Sequence, residues 1–353
     1  MANLNQRKVA FITLGKFLNQ FSNKGIIKKE NIPHNELFFD ALKMQIDRSV
    51  EFNGWFNKEN VLFALESWAE ALREENINQW LKPYQVNISN PKTIAVIMAG
   101  NIPLVGFHDF LSVLISGHKI LVKQSSNDKH LLPILAKYLE YVNPEFKNKI
   151  TFSDGRLADF DAVIATGSDN SAKYFDYYFG KHPHIIRQNR NGIAVLTGNE
   201  TEEELKALGE DIFRYFGLGC RNVAKLFVPN DYNFDNLFKA IYDYNYLLDN
   251  NKYTNNYDYN KAVYLMSLYD LLENGFLMLK EDPSYTSPIA TLFFEKYADL
   301  EALEEKLINE KDKIQVLVSN GSVKNSIPFG ETQKPKLWDY ADGVDTLTFL
   351  LEQ

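Results

Sequence analysis

The feature that most constrains this chain is a series of short apolar runs alternating with amphipathic segments between residues 92 and 213. Each apolar run is bounded by glycine, proline or polar residues and predicts a buried strand: KTIAVIMAG, HKILVKQ, KITFSD, DAVIATG and GIAVLTG. The segments between them have helical length and spacing. Strands that alternate with helices in this way form a parallel sheet with helices on both faces. The pattern therefore predicts an α/β fold.

Single residues mark where several of these helices begin and end. In PLVGFHDFLSVLISG, Pro103 suits the first helical turn and Gly117 suits the C-terminal stop. In DKHLLPILAKYLEYV, Pro133 predicts a kink or a late start. Thr201 and Glu204 have the spacing of a capping box that opens the helix TEEELKALGEDIFRYFG.

The flanking regions have different patterns. Residues 1–90 are predicted to be mainly helical, as in ENVLFALESWAEALREENINQWL. After Cys220 the α/β alternation resumes with the strands NVAKLFVP, SPIATLFFEKY and IQVLVSN, which predicts a second α/β unit. The segment 242–260, rich in Tyr, Asn and Asp, is predicted to form a surface helix-loop-helix.

Composition and charge exclude several classes of protein. With 353 residues the chain has room for two or three domains, and no apolar run approaches the length that spans a bilayer. A net charge of −8 argues against a nucleic-acid partner. One cysteine makes neither an internal disulfide nor a cysteine-based zinc site, and the amino terminus lacks a signal-peptide cleavage site. We expect a cytoplasmic protein without integral membrane contact.

Polar residues follow three of the predicted strands. Ligands bind beyond the carboxyl ends of the strands in open parallel sheets, so these residues are candidates for binding an anionic ligand. They are Asn101 after the first strand, Lys123, Ser125 and Ser126 after the second, and Thr166, Gly167 and Ser168 after the fourth. No G-x-G-x-x-G follows any strand, so the usual dinucleotide fingerprint is absent.

The only cysteine, Cys220, lies in YFGLGCRNVAKLFVP, behind Gly217 and Gly219 and just before a predicted strand. A lone cysteine is most often a small buried hydrophobe. Glycine neighbours, however, allow the sharp turn and the open approach that a nucleophile needs. Together with the polar residues at the ends of the upstream strands, the flanking glycines and the position before a strand favour a nucleophile over a structural thiol.

Taken in order, the segments AGNIP, VKQSS, ATGS and GLGCRN resemble the aldehyde dehydrogenase superfamily. A closer resemblance, over about residues 90–353, is to the fatty acyl-CoA reductases of the bacterial luminescence (LuxC) type. AGNIPLVGFHDFLSVLISGHKILVKQSSND, FGLGCRNVAKLFVP and FGETQKPKLWDYADGVDTLTFL carry it, whereas residues 1–90 contain no diagnostic motif.

The resemblance implies a fold and a division of the chain. It implies an aldehyde dehydrogenase-like α/β fold in which a Rossmann-type cofactor domain is joined to a second α/β catalytic domain. The expected divisions are a helical N-terminal segment that packs on the cofactor domain (1–90), an NAD(P)-binding domain (91–215), a catalytic domain with the cysteine (216–330) and a C-terminal tail (331–353).

The resemblance also implies roles for single residues. Cys220 corresponds to the nucleophile that takes up the acyl group as a thioester, and Asn101 corresponds to the side-chain donor of the oxyanion hole. Lys123 corresponds to the residue that holds the adenosine ribose. Ser168 corresponds to a pyrophosphate contact, with Thr166 and Gly167 in the same turn.

Three departures from the superfamily pattern refine the expected chemistry. Ile186 falls where hydrolytic aldehyde dehydrogenases carry the glutamate that activates water, which favours acyl-thioester chemistry. Ser126 falls where NAD-preferring relatives often carry an acid, which favours NADPH over NADH. Ser284 falls near the expected ribose-binding glutamate, so the nicotinamide-side contacts are not assigned.

Structural alternatives remain open for the other candidates. Asn101 could be a helix N-cap before Pro103, Lys123 a solvated strand end, and Ser125 and Ser126 a turn and a cap. His182 and His184 in KHPHI lack further ligands nearby in the sequence, so we predict no metal site; they lie in a predicted loop.

The predicted function is an NADPH-dependent acyl-CoA reductase, an acylating aldehyde dehydrogenase, that forms a fatty aldehyde. A non-catalytic acyl-binding protein and a hydrolytic aldehyde dehydrogenase are the alternatives. The expected partners are an acyl-CoA or other acyl thioester, an acyl-transferring protein and further copies of the chain as a homo-oligomer.

Overall fold

The computed structural model of the protein describes residues 3–167, 174–175 and 177–353. The chain divides into two units. The described residues up to Gln188, together with Lys336–Gln353, form the first unit, and Asn189–Pro335 forms the second. Residues 189–215 thus belong to the second unit, whereas the sequence analysis groups them with the cofactor-binding residues. The functional roles of the domains stay predictions.

The first unit begins with a helical segment, as predicted. Its elements are α1 (Leu4–Leu18), the short antiparallel strands β1 (Phe21–Ser22) and β2 (Gly25–Ile26), α2 (Asn35–Phe52), α3 (Lys58–Ala71) and α4 (Glu74–Leu81). Asn3 opens α1 with a reciprocal capping box, in which its side chain accepts from the Gln6 N–H at 2.9 Å.

The sheet of the first unit is parallel throughout its five strands. They are β3 (Thr93–Ile97), β4 (Lys119–Lys123), β5 (Ile150–Phe152), β6 (Ala162–Thr166) and β7 (His184–Arg187), with α5 (Phe107–Ser116) and α6 (Leu131–Val142) between them. The spatial order is β5-β4-β3-β6-β7. Four of these strands are predicted from sequence and confirmed. β7 is not predicted, because its four residues are flanked by polar segments.

The N-terminal helices share one apolar core with this sheet. Phe17 of α1 stacks on Tyr138 of α6 with the ring centroids 4.3 Å apart, and both rings are buried. Burying a ring of this size stabilises a fold by roughly 1.5–3 kcal/mol. The buried Arg7 donates from Nε to the carbonyl oxygen of Ile115 at the end of α5, at 2.9 Å. The N-terminal segment therefore takes part in the core of the first unit.

The second unit contains a six-stranded sheet. Its elements are β8 (Asn191–Val195), α7 (Glu202–Phe213), β9 (Val223–Pro229), α8 (Asp235–Ala240), α9 (Asn251–Met266), β10 (Leu271–Glu273), β11 (Met278–Glu281), β12 (Thr291–Tyr297), α10 (Leu300–Asn309) and β13 (Ile314–Val318). The spatial order is β10-β11-β12-β9-β8-β13. Only β10 and β11 pair antiparallel, and they are the strands that the sequence does not predict.

After the second unit the chain returns to the first. The last helix, α11 (Thr346–Leu351), buries Leu347 and Leu350 in the core of the first unit. Arg187 anchors this return through a buried ion pair with Asp109 at 2.5 Å and a hydrogen bond from Nη1 to the carbonyl oxygen of Ala341 at 3.0 Å. Residues 336–353 are therefore an integral part of the first unit.

Most predicted helix boundaries are confirmed, with one correction. Gly117 ends α5 in the left-handed conformation (φ 109°), Pro133 lies in the first turn of α6, and Thr201 forms the predicted capping box of α7. However, α5 begins at Phe107 and its N-cap is Gly106, so the predicted start at Pro103 is wrong. Turns occupy residues 103–106 instead.

The remaining predictions about secondary structure are confirmed in part. GIAVLTG forms a strand, β8, but in the second sheet rather than the first. Residues 242–249 form 3₁₀ turns and are followed by α9, which buries only Tyr253 and Tyr257. None of the helices in the described residues is long and apolar enough to cross a membrane.

Candidate active site

The candidate residues of the first unit meet at the carboxyl edge of its sheet. Ile97 at the end of β3 pairs with Lys123 of β4 on one side and with Ala165 of β6 on the other. Because adjacent strands are about 4.8 Å apart, the ends of β4 and β6 lie roughly 10 Å from each other. Thr166 and Gly167 follow on β6, whereas Ser168 lies outside the described residues. The structure thus brings the predicted strand ends together.

The loop that carries Asn101 is held against the loop after β4. A Cβ on Gly100 would lie 2.6 Å from the Ser125 Cβ, so only glycine permits this approach. A Cβ on Gly106 would likewise meet the Met98 side chain at 2.5 Å. Asn101 itself is exposed and lies outside any helix, so the alternative of a helix N-cap at Asn101 is wrong. The amide of Asn101 is displayed on a tightly packed loop.

Asp128 connects these two loops and is not among the residues predicted from sequence. Its buried carboxylate accepts a hydrogen bond from the N–H of Leu104 at 2.9 Å. Leu104 has a left-handed backbone (φ 58°), a conformation that requires local support in a non-glycine residue. Burial raises the pKa of Asp128 to about 6, although the bond from Leu104 opposes this. Its only sequence signal is an acid in the S-S-N-D turn.

The helical N-terminal segment also supports this turn. Asn53, buried at the end of α2, donates from Nδ2 to the carbonyl oxygen of Asn127 at 3.3 Å. Within the turn, the N–H of Asp128 donates to the carbonyl oxygen of Ser125 at 3.2 Å. The loop after β4 is therefore fixed from both sides, by α2 and by the Asn101 loop.

Lys123 and the two serines present polar groups at this edge. Lys123 is half-buried, and its Nζ donates to the carbonyl oxygen of Gly155 at 3.0 Å. Ser126 is exposed, whereas the Ser125 hydroxyl accepts from the Asn127 N–H at 3.3 Å. The exposed Arg156 follows Gly155 in the loop after β5 and adds a second cation that the sequence analysis does not identify.

We predict a stability signature for Asp128 that depends on pH. Its pKa in the folded chain lies above the ordinary value of 3.8, so its stabilising contribution is complete below about pH 4 and is lost as the pH rises through about 6. Asp128→Asn keeps an acceptor for Leu104 and carries no charge. The variant should therefore gain stability over wild type as the pH rises from about 4 to 7, by at most about 3 kcal/mol. Urea unfolding across this range measures the difference.

Asp154→Asn is the matched control for this prediction. The exposed Asp154 pairs with Lys129, and that hydrogen bond lowers the pKa of Asp154. Its contribution is lost as the pH falls, so any effect has the opposite sign. A constant difference between Asp128→Asn and wild type across the pH range would contradict the buried, ionisable Asp128.

In the second unit, Cys220 lies exposed between the end of α7 and the start of β9. The backbone that leads to Cys220 has an unusual conformation: φ is 56° at Tyr215, 58° at Phe216 and 75° at Gly217. Left-handed backbone costs a non-glycine residue on the order of 1–3 kcal/mol. Burial of the Tyr215 and Phe216 rings offsets this cost. The backbone just before the exposed Cys220 is therefore strained, and burial of two aromatic rings offsets the strain.

Asn222 fixes the loop on the other side of the cysteine. Its buried Nδ2 donates to the carbonyl oxygens of Asp211 at 3.0 Å and Arg214 at 2.9 Å, at the end of α7. Its Oδ1 accepts from the Gly219 N–H at 2.8 Å. One side chain after Cys220 therefore satisfies backbone groups at the end of α7 and in the loop just before Cys220. The only sign of this role in the sequence is an asparagine directly before a predicted strand, in G-L-G-C-R-N.

The other positions singled out in the sequence have ordinary environments. Ile186 lies on β7, half-buried, and its backbone pairs with Ala165. Ser284 is exposed, and its N–H donates to Asp282 at 2.9 Å. His184 is the first residue of β7, so its predicted place in a loop is wrong, and it contacts the carbonyl oxygen of His182 through Nδ1 at 2.8 Å. The described residues contain no group of three or more histidine, cysteine or carboxylate side chains that could hold a metal.

Solved structures share this fold at low sequence identity. A putative aldehyde dehydrogenase from Burkholderia cenocepacia matches 91% of this chain and 76% of its own, with a TM-score of 0.62 and 11% identity. Aldehyde dehydrogenase 21 from Physcomitrella patens matches all of this chain and 84% of its own, with a TM-score of 0.64 and 12% identity. The indole-3-acetaldehyde dehydrogenase AldA of P. syringae, solved with NAD+, matches 91% and 74%, with a TM-score of 0.60 and 13% identity. The aldehyde dehydrogenase-like fold is thereby confirmed.

The family model for acyl-CoA reductase (LuxC) matches residues 16–239. The match includes most of the N-terminal helical segment, where the sequence analysis finds no diagnostic motif, and it includes Asn101, Lys123 and Cys220. The C-terminal FGETQ segment lies outside it. No curated protein sequence matches this chain significantly. Because the family match spans more than half of the sequence and the fold agrees with it, the chain belongs to the LuxC family of acyl-CoA reductases.

Proposed function

We propose that this protein reduces a long-chain acyl-CoA, or a related acyl thioester, to the aldehyde with NADPH, through a thioester on Cys220. The observation that carries the proposal is the Cys220 loop. The only thiol of a LuxC-family chain is exposed on a loop that is strained on one side and anchored by Asn222 on the other. A thiol that only fills space would be buried.

The proposed chemistry has two stages at Cys220. First, the Cys220 sulfur bonds to the acyl carbonyl carbon, the bond from that carbon to the CoA sulfur breaks, and CoA leaves as its thiol with the proton of Cys220. Then the carbonyl carbon takes up a hydride, its bond to the Cys220 sulfur breaks, and a proton restores the thiol as the aldehyde leaves. NADPH, when bound, supplies the hydride.

Asn101 is the proposed stabiliser of the charge that develops on the acyl oxygen. Its amide can donate a hydrogen bond to an oxyanion, and the N–H of Cys220 is the proposed second donor. The exposure of Asn101 supports this role, because an exposed amide is accessible to the carbonyl group of a substrate. The packing of Gly100 on Ser125 keeps the loop in one conformation, which a preorganised donor requires.

The residues at the carboxyl edge of the first sheet suit a dinucleotide phosphate. Gly100 lets the loop after β4 pack closely at the strand end, and Lys123 with the exposed Ser126 supplies donors for the adenosine ribose and its 2′-phosphate. Thr166, Gly167 and Ser168 are the proposed pyrophosphate contacts, and Arg156 is a further candidate for the 2′-phosphate. The carboxylate nearest in sequence, Asp128, is buried against Leu104 and does not oppose a phosphate.

The environment of Ile186 supports reduction over hydrolysis. An aldehyde dehydrogenase that forms acids needs a base to activate water. Ile186, which falls at that position by resemblance, is an aliphatic side chain packed beside the apolar cluster of Ala95, Leu157, Val163 and Ala165. A thioester on Cys220 should therefore react slowly with water and persist until hydride arrives.

The direct test is aldehyde formation from acyl-CoA substrates of increasing chain length, with NADPH and with NADH. We expect NADPH-dependent aldehyde with free CoA in equal amount, and little free fatty acid. Fatty acid as the main product would favour a hydrolytic enzyme. Binding of acyl-CoA without adduct or turnover would favour a non-catalytic acyl-binding protein.

Ser126→Glu should reverse the cofactor preference. Wild type is expected to show the higher kcat/KM with NADPH, since Lys123, Ser125 and Ser126 can meet the 2′-phosphate. A glutamate at 126 places a negative charge beside that phosphate and should lower kcat/KM for NADPH while changing the value for NADH little. Steady-state kinetics with both cofactors measures the ratio. Ser126→Gln, of the same size without the charge, is the control.

A wild type that prefers NADH would show that this loop does not recognise the 2′-phosphate. So would a Ser126→Glu variant whose ratio of kcat/KM for NADPH to that for NADH is unchanged. Equal losses in the glutamate and glutamine variants would assign the effect to size rather than charge.

The last part of the proposal concerns the compartment, the oligomeric state and the acyl donor of the protein. We propose a cytoplasmic homo-oligomer that receives its acyl group from acyl-CoA or from an acyl-transferring partner protein. Light scattering measures the oligomeric state, and transfer of a labelled acyl group from a protein donor to Cys220 tests the partner.

A further inference from the structure

A second buried carboxylate, Asp211, lies in the last turn of α7 and joins two segments that flank the cysteine loop. The Asp211 side chain is fully buried. It accepts hydrogen bonds from the N–H of Gly330 at 2.6 Å, the N–H of Thr332 at 3.0 Å and the Thr332 hydroxyl at 2.8 Å. Gly330 has a left-handed backbone (φ 84°), and a Cβ there would lie 3.2 Å from the Ala207 Cβ of α7. The turn 330–332 is thus fixed on α7 by one carboxylate.

The turn 330–332 also binds Arg221, the residue after the cysteine. Arg221 donates from Nε to the carbonyl oxygen of Thr332 at 2.6 Å. The backbone of Asp211 adds a second connection, because its carbonyl oxygen accepts from the Asn222 side chain at 3.0 Å. Both residues that follow Cys220 are therefore connected to Asp211, one through Thr332 and one directly.

An ionised carboxylate is unfavourable at this buried position. Burial raises the pKa of Asp211 to about 6, and the charge of Glu331 raises it further, while the bonds from Gly330 and Thr332 lower it. A buried ionised group of this kind opposes folding at neutral pH. Three donors converge on it, so a neutral side chain of the same shape would leave one of them facing another donor. The turn 330–332 therefore requires a side chain at position 211 that only accepts hydrogen bonds.

We infer that Asp211 is a positioning residue that fixes the Cys220 loop through the turn 330–332. The inference rests on the proposed role of Cys220 for its effect on acyl transfer, but not for its effect on the loop itself. It also gives the FGETQ segment, which the family match does not include, a role next to the nucleophile.

Asp211→Asn tests the inference on the full chain. The asparagine Nδ2 meets the Gly330 N–H, donor against donor, so the turn should loosen and release Arg221. Amide hydrogen exchange should become about tenfold faster both in residues 330–332 and in the loop 219–222. Acyl transfer from acyl-CoA to Cys220, followed by mass spectrometry without cofactor, should slow by about 10- to 100-fold. Alkylation by iodoacetamide, which needs no aligned substrate, should change far less.

Leu307→Ala is the control for a merely structural loss. Leu307 is buried in the core cluster with Ile193 and Phe227, and its truncation destabilises the unit without touching the Asp211 network. If both variants lose acyl transfer and alkylation in parallel with melting temperature, Asp211 is structural and the inference is wrong. Unchanged exchange in the loop 219–222 of Asp211→Asn overturns it as well.

Two further outcomes separate the inference from the proposed function. If the wild type forms no acyl adduct, the proposed function fails, while hydrogen exchange in Asp211→Asn still decides the positioning role. If Asp211→Asn does not fold, Thr332→Val removes the hydroxyl, with its bond to Asp211 and the one it accepts from Gln333 Nε2, and keeps both backbone bonds to Asp211. It should show the same changes at a smaller size, and Thr332→Ser, which keeps the hydroxyl, should restore the wild-type rate.

Discussion

Cys220→Ala is expected to abolish aldehyde formation and to remove the acyl adduct. Cys220 is the only thiol in the chain, so no other thiol can form the acyl thioester. Incubation with acyl-CoA in the absence of cofactor should add one acyl group to the wild type and none to the variant. Intact-mass spectrometry gives this result directly, because the acyl group is the only mass added.

The fold provides a sharp control for this experiment. Cys220 is exposed, so Cys220→Ala creates no cavity and should leave the melting temperature near that of wild type. Cys220→Ser keeps the size and polarity of the side chain but is a far weaker nucleophile, and it too should show no turnover. An adduct that persists in the alanine variant would disprove the assignment of Cys220 as the nucleophile.

Asn101→Ala is expected to lower kcat by about 100- to 1,000-fold while leaving acyl-CoA binding nearly unchanged. The reason is that, in the proposed mechanism, the amide stabilises charge that develops only during the reaction. Single-turnover rates and a separate binding titration distinguish the two effects. Asn101→Asp keeps the size and the acceptor oxygen but loses the N–H donor, so it should be at least as slow as the alanine variant.

Loss of a helix cap does not explain such a loss of activity. Asn101 caps no helix and is exposed, so neither variant should unfold the first unit. Turnover of Asn101→Ala at the wild-type rate would show that the amide does not contribute to the oxyanion site.

The sequence predicts the features of this fold that depend on local patterns. Buried strands such as Thr93–Ile97 are continuous apolar runs, and the Thr201 capping box and Gly117 stop are local chemistry, so they are readable without tertiary information. The grouping of candidate residues at the carboxyl edge of the first sheet is also predictable, since parallel strands bring Lys123 and Thr166 to one edge. Each of these inferences needs only neighbouring residues and one general rule of sheet geometry.

Features that depend on contacts between residues distant in sequence cannot be predicted from local patterns. The sheet that β8 joins is decided by pairing with β9 and β13, which are remote in sequence, and the short strands β10 and β11 are defined by their partners. Asp128 and Asp211 are ordinary acids in the sequence, and only the convergence of donors from Leu104, Gly330 and Thr332 makes them special. The left-handed Tyr215 and Phe216 are likewise unpredictable, because aromatic residues seldom adopt this conformation.

The return of the chain to its first unit has a consequence for how the protein is made. A ribosome releases residues in order, and domains tend to fold as they emerge. The second unit is one contiguous stretch, Asn189–Pro335, and all of it has emerged before Leu347 and Leu350 appear. The first unit, although synthesised first, cannot close its core until those two leucines arrive. During synthesis, the apolar face of α5 therefore lacks these two leucines until the second unit has emerged, and over this interval it is exposed to aggregation and to chaperones.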